Sequence, residues 1–151
     1  KKLEAGLPLN RSLTLWTQNE DLLLRPGATQ PILVARESGV AIKEIRVRVK
    51  SKDDPSLAWT DPRRLHSLLR ATWIEAKFDG NLTVRVPLGD FFGSAPGLNP
   101  LETMPFQITS HGEMVCRFPM PFKERAEIVL RNVGSEVRSS SERRWFSRCR
   151  A

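Results

Sequence analysis

Short runs of alternating apolar and polar residues, each closed by a turn signal, recur along this chain. A period of two puts every second side chain on one face, the pattern of a half-buried β-strand. Ile45, Val47 and Val49 alternate with Arg46 and Arg48, and Leu82, Val84 and Val86 with Thr83 and Arg85. Phe106 and Ile108 flank Gln107, and Met114, Cys116, Phe118 and Met120 share one face against Val115 and Arg117. Val40 and Ile42 lie out of phase with Ile45, so a β-bulge is expected at Lys43-Glu44. Further strands are expected over 31–36, 68–78 and 126–133. Arg25-Pro26-Gly27, Glu37-Ser38-Gly39, Asp53-Asp54-Pro55, Asp79-Gly80-Asn81 and Ser110-His111-Gly112 supply the turns between them. Asp79-Gly80 predicts a tight hairpin. One short helix is expected, over 61–69 and opened by Asp61-Pro62. Many short strands at this spacing predict an all-β, jelly-roll-like sandwich over residues 11–134 with few or no helices.

Residues 135–151 break the pattern. They are rich in Ser and Arg and read as a basic tail or the end of a truncated chain, without a packed core. From Gly134 onward five arginines stand against two glutamates, so this stretch carries about three of the seven net positive charges. The remaining charge is interleaved with acids. That is not the footprint of a nucleic-acid surface. No run approaches the roughly 20 apolar residues of a membrane span. Cys116 reads as a buried thiol and Cys149 as an exposed one, with no Cys-x-x-Cys spacing. His66 and His111 are too few and too far apart for a metal cluster, and neither a phosphate loop nor a nucleophile elbow is present. No cofactor is expected. Compartment is not readable from the residues.

Two ordered segments carry a resemblance. Val86-Pro-Leu-Gly-Asp-Phe-Phe-Gly93 contains the PLGDFFG signature of the domain of unknown function 2961 family, also classed as glycoside hydrolase family 172. Arg117-Phe-Pro-Met-Pro-Phe-Lys123 is similar to its second signature, and a strand of the type Ala126-Glu-Ile-Val-Leu-Arg-Asn132 follows. Upstream, Trp73 and Phe78-Asp79-Gly80 resemble the family's Trp-Asp-Gly segment, and Asn19-Glu-Asp21 with Leu24-Arg-Pro-Gly27 its Asn-x-Asp and Pro-Gly pattern. The sequence departs from the family at Glu37-Ser38-Gly39, where Gly-Pro-Gly is usual, and at Trp16-Thr17, where Trp-Asp is usual.

The resemblance implies two consecutive jelly rolls in trimer-based homo-oligomers, a carbohydrate ligand, and retaining hydrolysis of fructofuranosides or arabinofuranosides. It also implies that the catalytic glutamates lie in the second jelly roll. This chain then corresponds to the first, inactive by itself, with no catalytic residue of its own. A non-catalytic carbohydrate-binding or structural module is the other reading. Retaining hydrolysis needs two carboxyl groups about 5 Å apart, and a sequence shows no distances. The residues available to line a sugar site are Trp16, Asn19, Asp21 and Asp90. Trp16 is read as standing in a polar loop and is the better stacking candidate, whereas Trp73 reads as core. Asn19 and Asp21 also suit caps or turns. Asp90, between Gly89 and the Phe91-Phe92 pair, is expected to accept from loop amides, with at least one Phe buried.

Overall fold

The computed structural model describes residues 15–51, 62–94, 97–110, 112–135 and 138–148, with backbone alone for 15–23, 49–51, 62, 64 and 138–148. The described strands are β1 (Leu15–Leu24), β2 (Thr29–Ala35), β3 (Val40–Ser51), β4 (Thr72–Phe78), β5 (Asn81–Pro87), β6 (Leu101–Glu102), β7 (Phe106–Ile108), β8 (Glu113–Cys116), β9 (Met120–Phe122), β10 (Ala126–Asn132) and β11 (Arg138–Arg148). Two helices, α1 (Pro62–Ala71) and α2 (Leu88–Phe92), precede β4 and follow β5.

The strands form two antiparallel sheets. Sheet A runs β1-β11-β3-β8-β7-β6, with β9 also paired to β3, and sheet B runs β2-β10-β4-β5. Setting aside the short β6, β7 and β9, the eight remaining strands alternate between the sheets except at the β4–β5 hairpin, the winding order of a jelly roll. The first strand pairs with the last, the second with the next-to-last, and the fourth and fifth form the inner hairpin. The expected all-β sandwich is the observed one.

The stretch read as a tail holds the strand that completes this winding. β11 lies between β1 and β3 and pairs with both along its length. Alternation fails there because the sheet neighbours supply the order. Cross-strand partners share a face, so Glu142 and Arg144 take positions beside buried Val47 and Ile45, where a sequence pattern would place apolar residues. Residues 138–148 are thus a strand of sheet A.

Inside the sandwich, Ile42, Ile45, Val47, Ile108, Met114 and Cys116 of sheet A meet Ile74, Ala76, Ile128 and Leu130 of sheet B, all buried. The expected bulge is present. Trp145 pairs with Glu44 and Phe146 with Ile42, leaving Lys43 as the extra residue that turns both Ile42 and Ile45 inward. A second bulge, opposite Ala76 and Lys77, leaves Thr83 over and turns Leu82 out to solvent while Val84 packs against the core. The Phe118 expectation fails. Arg117–Pro119 leave the sheet, and Phe118 is half exposed, edge-on to Phe106 at 5.4 Å. Pro119 and Pro121 lack ladder donors, which limits how far this segment can continue a strand.

α1 follows from Leu65, Leu68 and Leu69 on one side and Arg63, Ser67 and Arg70 on the other, with Pro62 at its first position. Thr72 Oγ1 donates to Leu68 O at 2.8 Å, and β4 begins at that residue. β10 ends in buried Asn132, whose amide donates to Leu24 O and whose Oδ1 accepts from Gly134 N. That side chain ties the end of β1 to β10, across the two sheets.

Candidate functional site

The outer face of sheet A gathers two of the sequence candidates. Asn19 pairs with Arg143, which pairs with Arg46, and Asp21 pairs with Ser141, which pairs with Arg48. Thr17 pairs with Trp145, and Trp145 with Glu44. These positions lie on the side opposite Ile45 and Val47. Trp16 does not join them. Its register partner is Phe146, which pairs in turn with Ile42, and Ile42 is fully buried, so position 16 lies on the core side. The four proposed sugar-lining residues are thus not one constellation. The tryptophan position on the Asn19 and Asp21 face is Trp145, which sequence reading missed because it stands where alternation is absent.

The described part of this face is a polar layer over Val115, which has no exposure. Arg46 Nε donates to Glu44 Oε1 at 2.5 Å, and its NH1 lies 3.6 Å from Glu113 Oε2. Arg117 donates from Nε to Glu44 Oε2 at 3.0 Å and from NH2 to Gln107 Oε1 at 2.7 Å. The hydrogen bond that Arg46 donates to Glu44 outweighs desolvation and raises the Arg46 pKa, so that guanidinium stays charged. Glu44 and Glu113 share one arginine, and Glu44 also takes Arg117. On this face both carboxylates serve as ion-pair partners.

Asp90 stands apart from that face. α2 packs mainly on α1, β4, β5, β7 and β8, whereas β1 adjoins β11, β10 and β2. The PLGDFFG segment forms a short helix rather than an open loop. Leu88 and Phe92 are buried four residues apart, and Gly93 closes the turn at φ 71°. A Cβ on Gly89 would stand 2.8 Å from Ser94 Oγ and 3.2 Å from Leu69 Cβ, so the missing side chain is what lets α2 lie against α1. Phe92 is buried as expected. Asp90 departs from expectation. It takes no loop amide and instead accepts both hydrogen bonds from Arg70 NH1, at 2.9 and 2.8 Å, with half of each side chain exposed. Once Asp90 is placed in a helix, its side chain points outward toward α1 rather than back onto the loop. Asp90→Ala is accordingly expected to cost no more than about 1 kcal/mol in chemical denaturation, the range of an exposed pair.

The carboxylate that does collect amides is Asp79. At φ 50° in the hairpin turn, it accepts from Lys123 N, Glu124 N and Arg125 N at 2.8–3.2 Å, fixing the turn between β9 and β10. Those backbone bonds, the one from Lys123 first, hold its carboxyl below the usual range. A depressed folded-state value gives stability that is present above the unfolded value, about 4, and lost as pH falls through the folded one. Asp79→Ala is expected to melt lower than the parent at pH 7, with the difference shrinking steadily below about pH 4. A constant difference down to acid pH would contradict this role.

Burial pushes the Cys116 thiol up, away from nucleophilic use. Cys149 and His111 lie outside the described residues. No cluster of three metal-ligating side chains occurs among the described residues, and none of their helices is long and apolar enough to cross a membrane.

Comparison with known families decides the relationship. A family model described as GH172 domain-like matches residues 14–144, most of the chain and much of β11. The chain belongs to the GH172 domain-like family. That match relates it to a family of glycoside hydrolases. No curated protein matches it. Within the GH172 fold seen here, the two signatures become structural statements. PLGDFFG builds the α2 contact with α1, and the segment around Phe118–Phe122 leaves β8, crosses the bulge of β3 and rejoins it as β9.

Proposed function

We propose that this chain is the sugar-contacting, non-cleaving jelly roll of a furanosidase-type glycoside hydrolase. The observation that carries this reading is the register of β1, β11 and β3. It sets Asn19 and Asp21 in rows with Arg143, Arg46, Ser141 and Arg48 on one open face of sheet A. Polar side chains at fixed spacing on a rigid sheet suit the positioning of hydroxyl groups. Cleavage with retention needs a nucleophile and an acid/base carboxyl about 5 Å apart. The family resemblance assigns those glutamates to a second jelly roll, and the Glu44 and Glu113 carboxylates are occupied by arginines. In a trimer-based assembly, the carbohydrate then lies between this face and a neighbouring jelly roll.

The chain should give no turnover of p-nitrophenyl α-L-arabinofuranoside or of a fructofuranosyl disaccharide above the buffer rate. Turnover lost on Asp21→Asn or Glu44→Gln would show that this jelly roll carries the chemistry itself.

A further inference from the structure

The other sheet also has an outer face, and its chemistry is different. Along β4, Thr72, Ile74 and Ala76 are buried, so Trp73, Glu75 and Lys77 face outward. The sequence reading of Trp73 as core fails because β4 starts after α1, at Thr72, and the phase of its alternation follows from that start. An indole on the outside of a central strand gives up core burial. Its neighbours show what it stands among. Across the strands Trp73 pairs with Arg131 and Pro87, and Glu75 pairs with Val129 and Arg85. The Arg85 guanidinium carbon lies 6.0 Å from the Trp73 ring centroid.

Glu75 organises two cations. Its Oε1 lies 3.3 Å from Arg85 Nε and 3.9 Å from Arg131 NH1. That oxygen is covered, yet it completes no hydrogen bond with either. The guanidiniums are therefore held side by side by charge, with donor capacity left over. Their side chains are 55% and 43% exposed, against 17% for Glu75. One carboxylate beneath two guanidiniums leaves a net positive charge facing solvent beside an aromatic ring. Two residues along β4, Lys77, Gly80, Arg125 and Glu127 line a shallow cavity of about 220 Å³. Arg125 pairs with Glu127 at 2.9 Å, and Lys77 adds a further cation to the row.

We propose that the outer face of sheet B is a binding site for acidic carbohydrate. Arg85 and Arg131 receive a sugar carboxylate or sulfate through their outward N–H groups. Trp73 carries the sugar ring by stacking, and Lys77 and Arg125 meet the next acidic unit at the cavity. This site is independent of the role proposed for sheet A. The cations beside Trp73 disfavour a second copy of the chain as occupant there, because like-charged arginines would face each other.

Titration of the full chain with tetragalacturonate, followed by tryptophan fluorescence and calorimetry, tests the site. Saturable binding is expected, with none to maltotetraose. Trp73→Ala, Arg85→Ala and Arg131→Ala are each expected to weaken it about tenfold or more, one lost charged or stacking contact. Trp73→Phe, which keeps a ring, is expected to restore most of the affinity. Arg25→Ala, an exposed arginine in the β1–β2 turn, reports non-specific attraction to a basic chain and is expected to bind as the parent does. Circular dichroism and melting establish that each variant is folded. A loss in Arg25→Ala equal to that in Arg85→Ala would overturn the proposal. So would tetragalacturonate binding untouched by Trp73→Ala, equally tight binding of single-stranded DNA, or a dimer that Trp73→Ala dissociates.

Discussion

A chain ending at Gly134 is expected to lose cooperative unfolding altogether. Among the described residues, β11 is the strand that pairs with β1 in its sheet, and it also separates β1 from β3. Its removal leaves β1 without a ladder and exposes the edge of β3. Unpaired strand edges in a sheet of this length also promote association. Loss of both ladders is expected to exceed the roughly 5–15 kcal/mol that holds an ordinary domain together. The truncated chain should show no sigmoidal urea transition and should aggregate where the parent stays monodisperse. A soluble truncation product with the parent's unfolding midpoint would mean that residues 138–148 add nothing to the sandwich. A basic tail outside the fold predicts that second result.

Phe92→Ala is expected to be the most damaging single substitution in the PLGDFFG segment. Phe92 is fully buried, among the largest side chains that are, and belongs to the core cluster with Leu65, Leu68, Leu69 and Leu88. Its removal opens a cavity where α2 plugs the end of the sandwich. Replacing a buried Phe by Ala costs about 3–5 kcal/mol, which for a domain of this size lowers Tm by roughly 10 °C or more. Phe91 lies edge-on to it with centroids 5.0 Å apart but is only partly buried, so Phe91→Ala should cost clearly less. Equal effects of the two would show that the segment is held as an exposed pair rather than by one anchored ring.

At two places the residues alone were enough. The phase slip at Lys43-Glu44 located the β3 bulge, and Asp79-Gly80 located the β4–β5 hairpin. What they could not show was long-range. Arg143 and Trp145 take their places from β1 and β3, more than 90 positions away in sequence. Trp73 changed sides because one residue in the start of a strand reverses every face after it. Asp79 looked like an ordinary turn residue, and its three amide donors come from the turn after β9. Asp90 looked like the residue that needed amides, and its partner is an arginine 20 residues earlier on α1. For the candidate site, the residue types of Asn19 and Asp21 were legible, but their separation from Trp16 and from Asp90 rests on sheet pairing that local pattern does not encode.

Amide hydrogen exchange across residues 138–148 of the intact chain tests the central claim most directly, because β11 both closes the jelly roll and sets the Asn19 and Asp21 rows. An interior strand bonds to a neighbour on each side, so consecutive amides are held, whereas an edge strand holds only alternate ones. Protection is predicted at successive residues from Ser139 to Ser147, interrupted only around the Trp145-Phe146 register shift, and at the level of the β3 amides. Exchange at the unstructured rate throughout, or protection at every second amide, would contradict an interior β11 and with it the placement of the site.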